Sequence, residues 1–409
     1  MLYQVPISGT CWSRTEYGTV LSHLLGRAYA SRDYRTRLRT RIEQTFGGKA
    51  LLLNSGRSAL EVALLRMRML APQREKNTIL VPSFLCRAVA DKIVRCGFAP
   101  RFYDITPGLN PCVESLKQTM QPGVAGVVVP HLYGKVENLV DLAAWCRARE
   151  VRLIEDCAAA FLVEDSEGTL SGLNGDYVIF SFQEGKTVVA GSGGALIDRT
   201  TVLAADEATG ESWSAAEEWR LCLSKLSFLT RKVHRSVGYL LQRTWGELGP
   251  SFADRKQQEV RPLAAVDASL VFQQIDLWRQ REARKRAITA RYARNVGAGS
   301  GLSLPQVQGN HHVGRLFVRY PAPILRRFSD SRYESAVVAF LKSKGVQTQL
   351  PYYPVHRLPE FQAWREAPLP TTDAVFQSMI EVPTQITLQD DQIDYVCECL
   401  RESLNYAGN

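Results

Sequence analysis

The sequence has no apolar run near the roughly 18 residues that a membrane-spanning helix needs. Its opening stretch, MLYQVPISGTCWSRTEYG, lacks a charged start followed by an apolar segment, so no signal peptide is expected. Cysteine is sparse and odd in number. The nine (Cys11, Cys86, Cys96, Cys112, Cys146, Cys157, Cys222, Cys397 and Cys399) lie mostly inside apolar stretches, a reduced intracellular pattern rather than a disulfide framework. Cys397 and Cys399 have no second Cys/His pair at metal spacing, so no zinc site is expected. Internal repeats and low-complexity tracts are missing. So are a helix-turn-helix pattern, a series of base-stacking aromatics and a basic tail, which argues against nucleic acid as a partner. A soluble cytoplasmic protein is the expectation.

What is present is ordinary globular material. Hydrophobic residues make up 45% and charged residues 22% of 409 residues, enough chain for two domains. The formal charge of +9 favours anionic ligands, nucleic acid or a membrane surface without choosing among them. From about residue 50 to 200 short apolar runs alternate with helical patterns. ALLLN (50–54), TILVP (78–82), RFYDI (101–105), GVVVP (126–130), VRLIED (151–156), YVIFSF (177–182) and GALI (194–197) read as strands. Amphipathic segments such as 57–70 and 138–150 lie between them. This alternation predicts a mainly parallel sheet covered on both faces. Ligands of such sheets gather at the carboxyl ends of strands, where Asn54, Pro82, His131, Asp156 and the break after Phe182 stand.

Residues 203–258 differ in character: aromatic and leucine positions at helical spacing share the segment with Arg, Lys and His. A basic amphipathic helix over 219–243 can lie on a membrane or face an acidic partner. The plainer expectation is a surface helical excursion packed on the main domain. A long charged helix over 267–296 is expected to link two domains. After it come a strand in GRLFVRYPAPI, a helix in DSRYESAVVAFLKSKG and a closing helix in DDQIDYVCECLRESL.

The stretch DYVIFSFQEGKTVVAGSGGALI (176–197) holds one lysine, Lys186, between an apolar strand and a glycine cluster. GKT resembles the end of a phosphate-binding P-loop, but that motif needs a glycine where Phe180 stands, and a bulky aromatic would block the backbone cradle. A solvated surface lysine is the ordinary alternative, yet a long charged chain has little structural purpose in such surroundings. A desolvated lysine, by contrast, loses proton affinity and becomes a nucleophile toward a carbonyl. Pyridoxal 5'-phosphate (PLP) needs such a lysine, a carboxylate at its ring nitrogen and donors around its phosphate. Asp156, at the end of RLIED, has the chemistry for the nitrogen. Ser181 can give a hydroxyl to the phosphate. NSGRSAL (54–60) is a strand-to-helix turn whose N–H groups can bind an anion. Each could be structural when taken singly; an Asp at a strand end is commonly an N-cap.

In this order the motifs FGGKALLLNSGRSAL, VPSFLCRAVADKIVRCGFAPRFYDI, VVVPHLYGKVENL, LIEDCAAAF, GDYVIFSFQEGKTVVAGSGGAL and YYPVHRLPEF resemble the DegT/DnrJ/EryC1/StrS family of PLP-dependent sugar aminotransferases. Matching features run from about 45 to 200 and from 262 to 400. The resemblance implies a fold-type I α/β aminotransferase-like homodimer with its active site at the subunit interface. A large PLP-binding domain would span 1–260, including the excursion, and a linking helix with a small C-terminal domain would span 261–409. By position, Lys186 would bind the cofactor covalently and Asp156 would face the ring nitrogen. Ser181 and the Gly56, Arg57, Ser58 turn would hold the phosphate. His356 and Tyr353 would lie near a sugar-nucleotide substrate.

Departures from the family pattern are specific. Ala159 stands where members commonly carry a Gln or His that touches the cofactor ring, and Cys86 where a ring-stacking aromatic is frequent. Arg57 replaces the usual Thr. EVRPLAAVDA replaces an NYR segment through which a partner subunit helps bind phosphate, with Arg261 as its substitute. The activity implied is transfer of an amino group from an amino acid such as glutamate to a keto sugar or related polar ketone. A PLP-dependent lyase or dehydratase is the alternative on the same scaffold. The family's sugar dehydratases carry His in place of the lysine, which disfavours that subtype here. A non-catalytic PLP-binding regulator would not need an intact Lys–Asp pair.

Overall fold

The computed structural model describes residues 5–7, 12–26, 33–70, 76–200, 212–230, 259–296, 300–307, 314–329 and 332–408. Seven strands form one sheet: β1 (Lys49–Leu53), β2 (Thr78–Pro82), β3 (Ala99–Tyr103), β4 (Val124–Pro130), β5 (Arg152–Asp156), β6 (Tyr177–Ser181) and β7 (Gly194–Asp198). Their order is β1-β7-β6-β5-β4-β2-β3. β7 runs antiparallel to both its neighbours and the other pairs are parallel. Every residue of β2, β4, β6 and β7 is buried. Helices on both faces of the sheet explain why these strands read as continuous apolar runs rather than alternating ones. Phe180, the residue that excludes a P-loop, is a core residue, its ring 4.6 Å from Phe46 and 4.9 Å from Phe161.

The helix Ala265–Val296 starts two residues before the expected 267. Val266, Leu270, Val271 and Trp278 pack into the core beside β1, β6 and β7, whereas Ile288, Tyr292 and Val296 enter a second core. That second core surrounds an antiparallel pair, Leu316–Arg319 with Met379–Val382. The expected strand stops at Arg319 because Pro321 and Pro323 follow and proline cannot continue a ladder. The partner strand, Met379–Val382, is not legible in the sequence, because four buried residues carry too weak a periodic signal. The helix expected from Asp330 onward is shorter. Tyr333–Glu334 pairs with Arg327–Phe328, and Ser335 caps a helix of Ala336–Ser343 by accepting the Val338 N–H at 3.2 Å. The closing helix spans Asp390–Ser403.

Of the expected helical excursion, a helix at Ala215–Thr230 is described and residues 231–258 lie outside the described residues, including most of the candidate membrane helix. Lys225 on this helix is not solvated. It is buried against Asp267 and donates to the Ala190 carbonyl at 2.8 Å and to Ser192 Oγ at 3.2 Å. The excursion thus braces the glycine turn that follows Lys186. Arg261 is likewise committed within its own chain: it pairs with Glu217 at 3.1 Å, donates to the Ser212 carbonyl and lies 4.0 Å from the centre of the Trp213 ring. Among the described residues no helix is long and apolar enough to cross a membrane, and all eight described cysteines are free.

Candidate active site

The carboxyl ends of β4, β5 and β6 open onto a cavity of about 270 Å³. Gly56, Arg57, Cys86, Asp156, Ala159, Ser181 and Lys186 all line it. Seven of the ten candidate site residues, spread over 131 positions of sequence, therefore meet at one place. The parallel sheet accounts for this, because it carries each successive strand to the same edge.

Glycine sets the floor of the cavity. A Cβ on Gly194 would lie 2.5 Å from the Gly56 nitrogen and 2.6 Å from the Phe180 carbonyl oxygen. The GSGG run is needed there so that the helix Gly56–Leu70 can begin directly over the β6–β7 edge. A Cβ on Gly56 would in turn meet Ser181 Cβ at 3.0 Å. Ser55 caps this helix, its Oγ accepting the Ser58 N–H at 3.0 Å. That leaves the N–H groups of the first turn directed toward the cavity, a favourable place for an anion.

Lys186, Asp156 and Ser181 share a property. Lys186 Nζ and Ser181 Oγ have no hydrogen-bond partner among the described residues, and Asp156 uses only Oδ1, which accepts the Ala158 N–H at 2.9 Å. Three polar side chains left open around one cavity are available to a ligand. Burial pushes the Lys186 amine below the ordinary lysine range, and Asp156 opposes that shift without cancelling it. Burial likewise raises the Asp156 carboxyl, against the pull of the Ala158 N–H and Lys186. PLP fits this set: an amine to take its aldehyde, a carboxylate for its ring nitrogen, and a hydroxyl with a helix N-terminus for its phosphate.

Three candidate residues lie outside the lining. The Ser58 hydroxyl points into the cap, donating to Asn54 Oδ1 at 2.7 Å, so the anion site rests on the Gly56–Arg57 end of the turn. His356 is buried between Ser83 and Asp373. Tyr353 packs its ring on Phe328 and Phe376, 6.4 and 5.3 Å between centroids. The adjacent Tyr352 lines the cavity instead, together with Tyr133, His131 and Gln183. Tyr352 and Tyr353 are indistinguishable by residue type, and only the backbone direction of this non-repetitive segment decides which one enters.

His131 stands at the strand end as expected, with Nε2 2.9 Å from Glu155 Oε1 and Nδ1 accepting the Glu137 N–H. Nε2 is therefore the donor to Glu155. That carboxylate also accepts N–H groups from Gly172, Asn174 and Gly175, which together with His131 hold its pKa down to about 2 despite full burial. Cys157 lies close by, but the carboxylate is saturated by these donors, and the cluster is a structural pin under the Asp156 strand end.

The comparisons with known proteins agree with this geometry. The profile of the DegT/DnrJ/EryC1/StrS aminotransferase family matches residues 31–401. The chain is 24% identical to GDP-perosamine synthase of Vibrio cholerae over 360 residues, covering 87% of this chain and 86% of that protein. It is 23% identical to dTDP-4-dehydro-2,3,6-trideoxy-D-glucose 4-aminotransferase of Saccharopolyspora spinosa over 363 residues, 88% and 85% of the two chains. In fold it superimposes on a sugar aminotransferase of Streptococcus pneumoniae in its PLP form with a TM-score of 0.71 at 17% identity, covering 98% of this chain and 99% of the other. The chain belongs to the DegT/DnrJ/EryC1/StrS aminotransferase family, fold-type I enzymes that work with pyridoxal 5'-phosphate.

Proposed function

We propose that this enzyme moves an amino group from an amino acid, glutamate in the first instance, to a keto sugar carried on a nucleotide. The observation that carries the transamination reading is the pair of cavity groups Lys186 and Asp156, each left open by the protein and each shifted by burial toward its neutral form. Two relatives of near-full coverage named for nucleotide-sugar products or substrates support the acceptor class.

PLP, when bound, supplies an aldehyde carbon and a ring able to take up an electron pair from the substrate carbon. Lys186 is the amine that would hold that carbon. Once released, its amine is the base that takes the proton from the donor's α-carbon and the acid that returns a proton on the cofactor side. Its lowered proton affinity suits both steps, because a fully charged lysine could not accept a proton. Asp156 would face the ring nitrogen, whose positive charge would draw the carboxyl, raised by burial, back to its ionised form. Ser181 Oγ and the N–H groups at Gly56 and Arg57 would hold the phosphate. The opposite reaction half uses the same groups with the keto sugar in place of the donor's keto acid. The subunits are proposed to act as a homodimer.

The test is direct. Purified enzyme loaded with PLP should lose its visible absorbance on addition of glutamate and regain it with a nucleotide-linked keto sugar, the keto acid and amino sugar forming in equal amounts. A keto product without a matching amino product would overturn transamination.

A further inference from the structure

Tyr352 lines the same cavity as Lys186. Its ring stacks on that of Tyr133 with centroids 4.8 Å apart and planes inclined by 16°, and its backbone N–H donates to Tyr133 Oη at 2.8 Å. Tyr133 is fixed in turn. Its backbone sits at φ 57°, which few side chains adopt, its ring lies 4.2 Å from Phe317, and its carbonyl accepts the Arg315 N–H at 3.0 Å. The neighbouring Gly134 is pressed between two other walls: a Cβ there would lie 2.9 Å from the Ala159 carbonyl oxygen and 3.0 Å from Gly314 Cα. Gly134 thus lies against the Ala159 backbone, and Tyr133, Tyr352, Ala159 and Lys186 line one cavity. The Tyr352 hydroxyl has no hydrogen-bond partner among the described residues. Burial pushes its pKa well up, so it stays a neutral O–H donor across the working pH range.

We propose that Tyr352 contacts the cofactor, its phenolic O–H donating a hydrogen bond to the ring oxygen of PLP that neighbours the carbon held by Lys186. This rests on the reading of the cavity as the PLP site. A donor to that oxygen matters most when the nitrogen shared with Lys186 has lost its proton, because the oxygen then has no other donor. The bond therefore favours the deprotonated form and lowers the pH at which the nitrogen titrates.

The experiment is a pH titration of the visible absorbance of PLP-loaded protein across roughly pH 5 to 10. Tyr352→Phe keeps the ring and the stack, so it should still bind PLP, with its titration midpoint raised by about 1 pH unit. Tyr352→His, which retains a ring and a donor, should recover part of the shift. Tyr353→Phe, whose ring lies on Phe328 and Phe376, should leave the midpoint in place. An unchanged midpoint in Tyr352→Phe, or an equal shift in Tyr353→Phe, overturns the proposal while leaving the PLP site intact. Failure of the wild-type protein to take up PLP would instead overturn the site assignment beneath it.

Discussion

Ser83 Oγ lies 2.6 Å from His356 Nδ1, and it also accepts the His356 backbone N–H at 3.1 Å. The other ring nitrogen faces Asp373 at 3.4 Å. This buried arrangement fastens the segment bearing Tyr352 to the loop bearing Cys86, so two walls of the cavity are joined by one histidine. His356→Ala should therefore act through stability and wall position. Loss of its partnered ring from a closed site is expected to cost about 3 kcal/mol in denaturant unfolding and to raise KM for the acceptor. A variant of unchanged stability that lost only kcat would contradict this placement.

Lys186→Ala should abolish transamination, and the mass of the denatured, reduced protein should no longer carry cofactor. PLP would still bind noncovalently, because Asp156, Ser181 and the Gly56 turn are untouched. Retention of measurable turnover would remove Lys186 from its proposed role.

Gly56→Ala tests the phosphate floor. The added Cβ would press on Ser181 Cβ at 3.0 Å and the Phe180 carbonyl oxygen at 3.2 Å, backbone and short side chain that cannot swing aside. PLP affinity should fall by roughly tenfold or more, about 1.4 kcal/mol, and the cofactor-free protein should also unfold more easily, by about 1 kcal/mol or more. Equilibrium dialysis with PLP reads this directly.

Glu155 makes a prediction about acid. Its native pKa, held down to about 2, lies below the unfolded value of roughly 4.3. The stabilisation is therefore complete above the unfolded pKa and is lost as pH falls through the native one. Of the order of 3 kcal/mol should disappear between about pH 4.5 and 2. Glu155→Gln should flatten that part of the stability profile and lower stability at neutral pH, since an amide cannot accept from all four donors. An unaltered acid limb would show that Glu155 is not the titrating group.

The buried Lys225–Asp267 pair tests the excursion as a brace. Lys225→Met leaves Asp267 buried and unpaired, with a cost of about 3–5 kcal/mol expected in thermal or denaturant unfolding. A loss below about 1 kcal/mol would mean the helix Ala215–Thr230 is not holding the glycine turn.

Apolar runs such as TILVP and GVVVP settled the covered parallel sheet from sequence, because a strand buried on both faces admits little else. The strand-end positions of Asp156, Ser181 and the Gly56 turn followed from the same pattern: the end of each apolar run marks where a strand ends, and a parallel sheet sends those ends to one edge. The choice between Tyr352 and Tyr353, the burial of His356 between Ser83 and Asp373, and the commitment of Arg261 and Lys225 to ion pairs were decided only by tertiary structure. Those residues lie in non-repetitive segments or on helix faces, where no local period says which way a side chain points. Their partners are set by chain crossings tens to hundreds of residues away, and the energy of a buried pair belongs to both partners at once.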